Sequence, residues 1–569
     1  MNGLMVVGLA MAVFACAYLG YGRWLVKTWG IDPQAKTPAH EFEDGRDYTP
    51  ASRFTVFANQ FSSITGAGPV TGPIIAAMFG WLPALLWLLV GGVFFGAVQD
   101  FTALYASVKN KGKSMGMLIE QYVGRTGRRL FLLFCWLFTL LVIAAFADIV
   151  ANTFNGFAKD GSLAVPNASA ASISMLYIFV AMGFGFFIRK FQPKEGVKFL
   201  VGLGLFLAMM TVGIAFPMYF DATVWRYVVF GYCFIASVMP MWLLMQPRDY
   251  LSSFLLLGMV AGGVIGVLIA NPTINMPAFV GFEVNGKSLF PILFITIACG
   301  AVSGFHSLVS SGTSSKTIDN EKDMLTVGYG SMLIESLLGV VALVIVCSAA
   351  NDGVLPQGTP FQTFAGAVGG FFMMFGLPQH VAVCFMTMCV SALAMTTIDS
   401  VARIGRMSLQ ELVSPSEGHE PGPVAKLFGN TYFATALTLI LSYMLCLAGY
   451  MNIWPLFGAA NQLLSALVLI ALAVFLRTTG RKGWMLYVPM VFMFLVTMSA
   501  LVLSVMGIYG KLVAGNFLFM VDGLQLIIAV ALMTLAVLVV KHCGKELITG
   551  QVETEDKEEE AEEIPAALN

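Results

Sequence analysis

Charged residues are scarce in this chain: they make up 11% of its 569 residues, against roughly 25% in a soluble domain. So few charges cannot cover the surface of a water-soluble protein of this length. The chain is instead 58% hydrophobic, with a mean hydropathy of +0.82. These values predict an all-α, polytopic membrane protein that lies in a lipid bilayer.

Metal-binding and catalytic motifs are also missing. None of the nine cysteines belongs to a CxxC pair, and the five histidines are scattered without metal-ligand spacing. The sequence has no HExxH, no GxSxG with a plausible partner and no aspartates paired in facing motifs. We therefore expect neither an enzyme nor a cofactor. The net charge of −1 argues neither for nor against nucleic acid, and no nucleic-acid partner is expected.

Long apolar runs recur along the chain and predict about fifteen transmembrane helices. The predicted spans lie at residues 3–22, 60–78, 82–108, 130–156, 171–188, 197–216, 225–246, 249–270, 290–312, 326–350, 379–402, 431–450, 455–476, 483–507 and 521–540. They divide the chain into an accessory first helix with its loop (1–58), a ten-helix transporter core (59–402), a four-helix accessory region (403–541) and an acidic tail (542–569).

The basic residues predict the orientation. If residues 23–59 are cytoplasmic, 27 of the 31 Lys and Arg lie on the cytoplasmic side, and four lie outside. Such a division follows the positive-inside rule. One miscounted span would reverse the side of every later loop, and the basic residues would no longer lie mainly on one side. The amino terminus is therefore predicted outside and the carboxyl terminus inside. The outer four are Lys159, Arg226, Lys287 and Lys511.

The 60–78 span contains a dense group of helix breakers, among them Gly66, Gly68 and Pro69. An unwound backbone inside a membrane survives only when it is buried in protein or lines a cavity. We therefore expect a binding site at this break. Amide groups from Gly68 to Thr71, at the start of the second half-helix, would favour a substrate carboxylate.

A second break is predicted in the 225–246 span, interrupted at Pro240 and stopped at Pro247. The 60–78 and 225–246 spans would run in opposite directions, as in a five-plus-five inverted repeat with accessory helices. A simple proline kink is the alternative interpretation of Pro240.

The 290–312 span has one polar face, formed by Ser303, His306, Ser307, Ser310 and Thr313. Hydroxyl oxygens and the carbonyls of an unwound helix make a site of the kind that sodium accepts. The hypothesis is a coupling-ion site between the 65–68 carbonyls (Thr65, Ala67 and their neighbours) and the hydroxyls of Ser310 and Ser311. Alternatively, these hydroxyls bond back to their own helix.

Ionisable groups at membrane depth are costly and are functional by default. Asp100 and Glu335 are the candidate proton carriers, and His306 joins them because imidazole titrates in the physiological range. Asp399 is a further coupling candidate. It also lies one helical turn before Arg403, a spacing that allows an ordinary structural ion pair.

Several motifs together resemble one known family. They are NQFSSITGAGPVTGP (59–73), GAVQDF (96–101), QPRDYLSSFLL (246–256), FPILFITIACGAVSGFHSLVSSGTSSK (290–316), GYGSMLIES (328–336), TTIDSVARIGR (396–406) and WPLFGAANQLLSAL (454–467). From about residue 20 to about residue 510, the chain resembles the carbon starvation protein A (CstA) family. It departs at Asn59–Gln60, where enterobacterial members carry two histidines, so a role of that pair does not transfer.

The resemblance implies a transporter of the bacterial inner membrane that takes up peptides during carbon starvation, or pyruvate together with protons. It also implies a LeuT-like fold of the amino acid–polyamine–cation superfamily. We therefore expect a symporter for a small carboxylate nutrient, driven by protons or sodium, whose cavity includes Pro240, Ser303 and His306. A channel and a nutrient sensor without transport are the alternatives. The sequence leaves the oligomeric state and the 359–375 stretch undecided.

Overall fold

The computed structural model describes residues 2–44, 48–66, 68–158, 160–239, 243–356, 358–374, 376, 378–413 and 422–549. Helices dominate this part of the chain, as predicted. The α-helices are α1 (Gly3–Cys16), α2 (Arg23–Trp29), α3 (Pro38–Glu41), α4 (Arg53–Ile64), α5 (Gly68–Ala76), α6 (Trp81–Gly91), α7 (Ala97–Lys109), α8 (Met115–Val123), α9 (Arg125–Thr153), α10 (Val165–Phe191), α11 (Glu195–Ala215), α12 (Ala222–Val238), α13 (Met245–Ala270), α14 (Leu289–Thr296), α15 (Gly304–Gly312), α16 (Ser331–Ser348), α17 (Pro360–Met374), α18 (Gln379–Val413), α19 (Pro423–Gly429), α20 (Thr431–Cys446), α21 (Tyr450–Thr478), α22 (Tyr487–Val513) and α23 (Leu524–Thr549).

Shorter elements join or extend these helices. Strands β1 (Glu283–Val284) and β2 (Lys287–Ser288) form an antiparallel hairpin. Four π-helical turns continue α-helices without a break, which lengthens the spans they belong to; they are Ala17–Gly22, Gly92–Gly96, Leu325–Gly330 and Phe519–Gly523. The 3-10 turns are Ala77–Phe79, Ser314–Lys316, Glu321–Asp323 and Trp484–Leu486.

Ten helices in the described ranges are long and apolar enough to cross a membrane, or eleven if the bent pair α19–α20 is one span. The chain is therefore a multi-pass membrane protein. The predicted spans at 60–78 and 290–312 fall on broken helices, and α12 is only 17 residues long. The total of about fifteen spans stays a prediction.

Some predicted boundaries differ from the structure. Helix α18 continues past residue 402 to Val413, and α23 continues through the first residues of the predicted tail to Thr549. Pro247 does not stop a helix: it lies in the first turn of α13, where its missing N–H costs no helical hydrogen bond. The rest of the tail and Pro240 lie outside the described residues.

Two long helices form the centre of the molecule: α9 packs along α18, and α20 and α21 pack against α9. The broken helices lie beside this centre. Helix α5 packs on α16 and α14, and α15 packs on α7 and α21. The predicted C-terminal accessory helices α20 and α21 therefore contact the centre of the protein directly.

Glycines permit the closest of these approaches. A Cβ on Gly458 of α21 would lie 2.1 Å from the carbonyl oxygen of Ile295 in α14, and one on Gly96 would lie 2.3 Å from the carbonyl oxygen of Ala301. Both obstacles are backbone atoms, which cannot rotate away as a side chain can. Both close approaches therefore need glycine at these positions.

We expect Gly458→Ala to lower the thermal unfolding midpoint in detergent, because overpacking a tight contact costs about 1–3 kcal/mol. The matched control is Gly183→Ala in α10, where nothing lies within 4 Å of the added methyl group. That change should leave the midpoint unchanged or raise it, since alanine favours a helix by about 1 kcal/mol over glycine. Equal midpoints for the two variants would contradict the close packing of α21 on α14.

Candidate functional site

The first broken helix interrupts the span at the predicted place. Helix α4 ends at Ile64 and α5 begins at Gly68; Ala67 lies outside the described residues. A Cβ on Gly66 would lie 2.3 Å from Oγ1 of Thr397 in α18, and one on Gly68 would lie 2.5 Å from Sγ of Cys299. The break is thus enclosed by α18 on one side and by the α14–α15 connection on the other. Pro69 and Thr71 are buried in α5.

A second broken helix lies in the predicted 290–312 span. Helix α14 ends at Thr296 and α15 begins at Gly304, so residues 297–303 separate two half-helices. The predicted continuous polar helix is therefore wrong. Helix α12 ends at Val238, just before the predicted break at Pro240, which lies outside the described residues and stays a prediction.

At the second break, backbone N–H and C=O groups lose their helical partners. Side chains from other helices form hydrogen bonds with several of these backbone groups. Trp87 Nε1 donates to the carbonyl of Ile297 (3.2 Å), and Gln99 Nε2 donates to the carbonyl of Ser303 (2.6 Å). Oδ1 of Asn461 accepts from the amide of Phe305 at the start of α15 (3.3 Å). An unwound segment buried at membrane depth requires such partners.

A buried cluster of three ionisable side chains lies on three different helices next to this break. His306 Nδ1 of α15 is 2.9 Å from Asp100 Oδ2 of α7, and His306 Nε2 is 3.4 Å from Glu335 Oε2 of α16. All three side chains are 0% exposed. Asp100, His306 and Glu335, singled out separately in the sequence, are therefore brought together.

This cluster is only partly hydrogen-bonded. Within the described residues, Asp100 Oδ1, His306 Nε2 and both oxygens of Glu335 have no hydrogen-bond partner in the protein. Two ionised carboxylates buried without a neutralising cation would be very costly, so at least one proton belongs to the three groups together. A buried imidazole between two carboxylates can accept, hold and release such a proton.

Polar contacts connect the cluster to both breaks. Gln99, next to Asp100, also donates to Ser307 Oγ (2.8 Å) and accepts from Ser465 of α21. Ser303 Oγ is 3.1 Å from Asn461 Nδ2, which lies 3.6 Å from Cys299 Sγ. Because Cys299 contacts Gly68, these polar groups run from the cluster to the start of α5.

The predicted sodium site is not assembled as proposed. Ser310 Oγ accepts from Gln60 Nε2 (2.8 Å), whereas Ser311 Oγ accepts from the amide of Met115 (3.1 Å) and bonds back to Ser307. Neighbouring residues on an α-helix point about 100° apart, so the two hydroxyls face different helices. Thr313 is exposed at the end of α15. The hydroxyl that contacts the first break belongs to Thr397.

Asp399 pairs with a different arginine from the one expected. Its carboxylate forms an ion pair with Arg248 of α13 and accepts from the hydroxyl of Tyr232 in α12 (2.5 Å). Arg403 instead donates to the carbonyls of Ala236 and Met239, at the end of α12. The i,i+4 spacing therefore did not predict the partner of Asp399, because Arg248 of α13 and Tyr232 of α12 contact its carboxylate.

Several residues of the site were not singled out in the sequence. They are polar side chains within long apolar runs. Such polar side chains mark functional or packing positions in membrane helices, so this pattern could have revealed Gln99 and the Asn461–Gln462 pair. Gln462 Nε2 donates to the carbonyl of Phe294 (2.5 Å). No comparable local signal marks Thr397, since threonine is common in membrane helices.

Two broken helices that meet around buried polar groups, in a scaffold of long membrane helices, are typical of a secondary transporter. The fold agrees with that class. A manganese transporter of Eremococcus coleocola superposes with a TM-score of 0.51 over 88% of this chain and 99% of that chain, at 11% identity. A mutant of the same transporter superposes with a TM-score of 0.50. The fold is thus that of the LeuT-like transporters.

Sequence comparison shows the family. The model of "Carbon starvation protein CstA" matches residues 2–355 and 348–500. "Peptide transporter CstA" of Escherichia coli K12 is 32% identical, with 88% of this chain and 80% of that protein aligned. "Pyruvate/proton symporter BtsT" of the same strain is 30% identical, with 88% and 81% aligned. The chain belongs to the CstA family, and the predicted family and the transporter function are confirmed; it is not expected to be an enzyme.

Proposed function

We propose that this transporter imports a small carboxylate nutrient, pyruvate or a short peptide, together with protons, as part of the response to carbon starvation. The Asp100–His306–Glu335 cluster carries the coupling proton. The observation on which this rests is the position of His306 between two fully buried carboxylates on separate helices. Relatives named as a peptide transporter and as a pyruvate/proton symporter support the substrate class and the ion.

The substrate carboxylate binds at the first turn of α5, at Gly68, Pro69 and Thr71. This turn begins inside the protein, next to Gly66 and Cys299, and the positive end of the helix favours an anion. Thr65, whose hydroxyl has no hydrogen-bond partner in the described part of the protein, offers a donor on the other side of the break.

The second break transmits protonation to the substrate site. A change in charge at His306 alters the position of α15, to which it belongs. Residues 297–303 contact α5 through Cys299 and are held by Gln99 and Asn461. The break is a flexible connection with defined partners on both sides, which is what a two-state element requires.

We infer an inverted repeat from the packing. The first half begins with the broken helix α4–α5, followed by α6–α7, the short α8 and the long α9. The second half begins with the broken helix α14–α15, followed by α16, the short α17 and the long α18. The contacts match as well: α15 packs on α7 as α5 packs on α16. The five-plus-five core then extends to Thr478 at the end of α21, further than residues 59–402.

The orientation follows from the basic residues. The protein lies in the bacterial inner membrane, with its amino terminus outside and its carboxyl terminus in the cytoplasm. Arg53, Lys109 and their acidic partners Asp323 and Glu321 then lie at the cytoplasmic ends of the broken helices. The β1–β2 hairpin lies at the outer end.

The test is uptake of labelled pyruvate and of a labelled dipeptide into proteoliposomes under separately imposed proton and sodium gradients. We expect a proton gradient to drive accumulation above the external concentration, and a sodium gradient alone to drive none. Accumulation driven only by sodium would overturn the proposed role of the cluster. Saturable binding without flux would favour the nutrient sensor, and flux without saturation would favour a channel.

A further inference from the structure

A cavity of about 380 Å³ lies at the end of the molecule that the basic residues place outside. Its walls come from the second half of α5, the β1–β2 hairpin, the segment before α17 and the start of α21, and they include Ile75, Thr363 and Tyr450. Of these elements, α5 begins at the first break and α21 supplies Asn461 to the second.

A second, narrower cavity of about 10 Å³, room for about one water molecule, adjoins the first. The two share Ile75, Lys287 and Met451, and the narrower one reaches Thr296 and Trp454. Thr296 is the last residue of α14, and its carbonyl oxygen would lie 2.6 Å from a Cβ on Gly72 of α5. The two cavities therefore lie between the outer surface and the edge of the α5–α14 contact, beside the proposed substrate site.

Lys287 is the one charged side chain among the described residues that line these cavities. It belongs to β2, where it pairs with Val284, and it is half-buried. The described part of the protein places no carboxylate within ion-pair distance of Lys287, whereas Lys109 and Lys511 each have a carboxylate partner. A cation without a neutralising partner, between apolar walls, attracts anions strongly.

We propose that Lys287 forms an entrance site that binds the carboxylate of the incoming substrate before it reaches the first turn of α5. This inference rests on the proposed function, since it requires a carboxylate substrate. The lysine ammonium is a flexible point charge, suited to brief capture and release. Low-dielectric walls around a single charge raise the local concentration of the opposite charge, and with it the rate of association.

Lys287→Cys tests the site in intact cells of a host strain without pyruvate uptake of its own. We expect its KM for labelled pyruvate to rise about tenfold, with a maximal rate within about twofold of the unmodified protein, because capture and not translocation is impaired. A membrane-impermeant trimethylammonium-ethyl thiosulfonate should restore a low KM, and a sulfonatoethyl reagent of similar size should raise KM further. Lys287→Arg should keep a low KM.

Two controls separate charge from other effects. Glu283→Gln changes an exposed charge on the same hairpin and should leave KM unchanged or slightly lower. The unsubstituted protein treated with both reagents measures any effect of its own cysteines, among which Cys16 is exposed, and this effect is subtracted from that on Lys287→Cys.

Equal effects of the cationic and anionic reagents on KM would overturn the entrance site, and so would an unchanged KM for Lys287→Cys. If the unsubstituted protein took up substrate normally in these experiments, the proposed function would still stand. No pyruvate or dipeptide uptake by the unsubstituted protein would overturn both. A reagent effect seen only after the cells are permeabilised would place the cavity on the cytoplasmic side and contradict both the orientation and the entrance site.

Discussion

Glu335→Gln is expected to abolish accumulation of substrate in proteoliposomes while exchange of internal for external substrate continues. Glutamine has nearly the shape of glutamate but cannot carry a proton, so the variant keeps the packing around α16 and loses one proton-binding group. Without coupling, a proton gradient cannot raise the internal concentration above the external one, and the accumulation ratio falls to about one.

The measurement is uptake at several values of external pH, together with counterflow at equal pH on both sides. Counterflow of the Glu335→Gln variant should also lose most of its dependence on pH, because the cluster keeps a single carboxylate beside His306. Proton-driven accumulation equal to that of the unsubstituted protein would remove Glu335 from the coupling mechanism.

The matched control for that experiment is Asp319→Asn. Asp319 is a half-exposed acid that pairs with His40 in the loop before α16, so its substitution tests whether removal of any acid lowers accumulation. We expect normal accumulation in this variant. His306→Gln should resemble Glu335→Gln, because the imidazole is the group that contacts both carboxylates.

The first break could be predicted from the sequence, and the second could not. Between Gly66 and Pro73, glycine and proline are dense enough to exclude a regular helix on local grounds alone. Residues 297–303 contain a single glycine, Gly300, and no proline. That segment is unwound because Trp87 and Gln99, distant in sequence, occupy two of its carbonyls. Asn461 likewise accepts from the amide of Phe305 at the start of α15.

The members of the ionisable cluster were predictable one by one, because charge inside an apolar run is conspicuous. The contact between them could not be predicted, since 206 residues separate His306 from Asp100. Hydroxyl groups were the least predictable. Ser310 and Ser311 differ by one position, yet they face Gln60 and Met115 on different helices, so helix rotation decides which partner each contacts.

Asp399→Asn is expected to lower the stability of the whole protein far more than it lowers coupling. Arg248 is 1% exposed and Asp399 is 0% exposed. Their ion pair joins α13 to α18, and the Tyr232 hydroxyl of α12 donates to the same carboxylate. Removing one partner of a buried pair leaves the other charge uncompensated, which costs about 3–5 kcal/mol. The thermal unfolding midpoint in detergent should fall clearly, and the amount of protein in the membrane should fall with it.

A double substitution separates the pair from its members. Arg248→Met with Asp399→Leu replaces both charges by apolar groups of similar size, and such replacements are often neutral or stabilising. We expect the double variant to be more stable than either single variant, which is the sign of a coupled pair. If Asp399→Asn keeps the normal midpoint but loses proton-driven accumulation, Asp399 carries protons as the sequence first indicated. In that case Arg248 serves to hold its charge in place, and the coupling site extends from α7, α15 and α16 to α18.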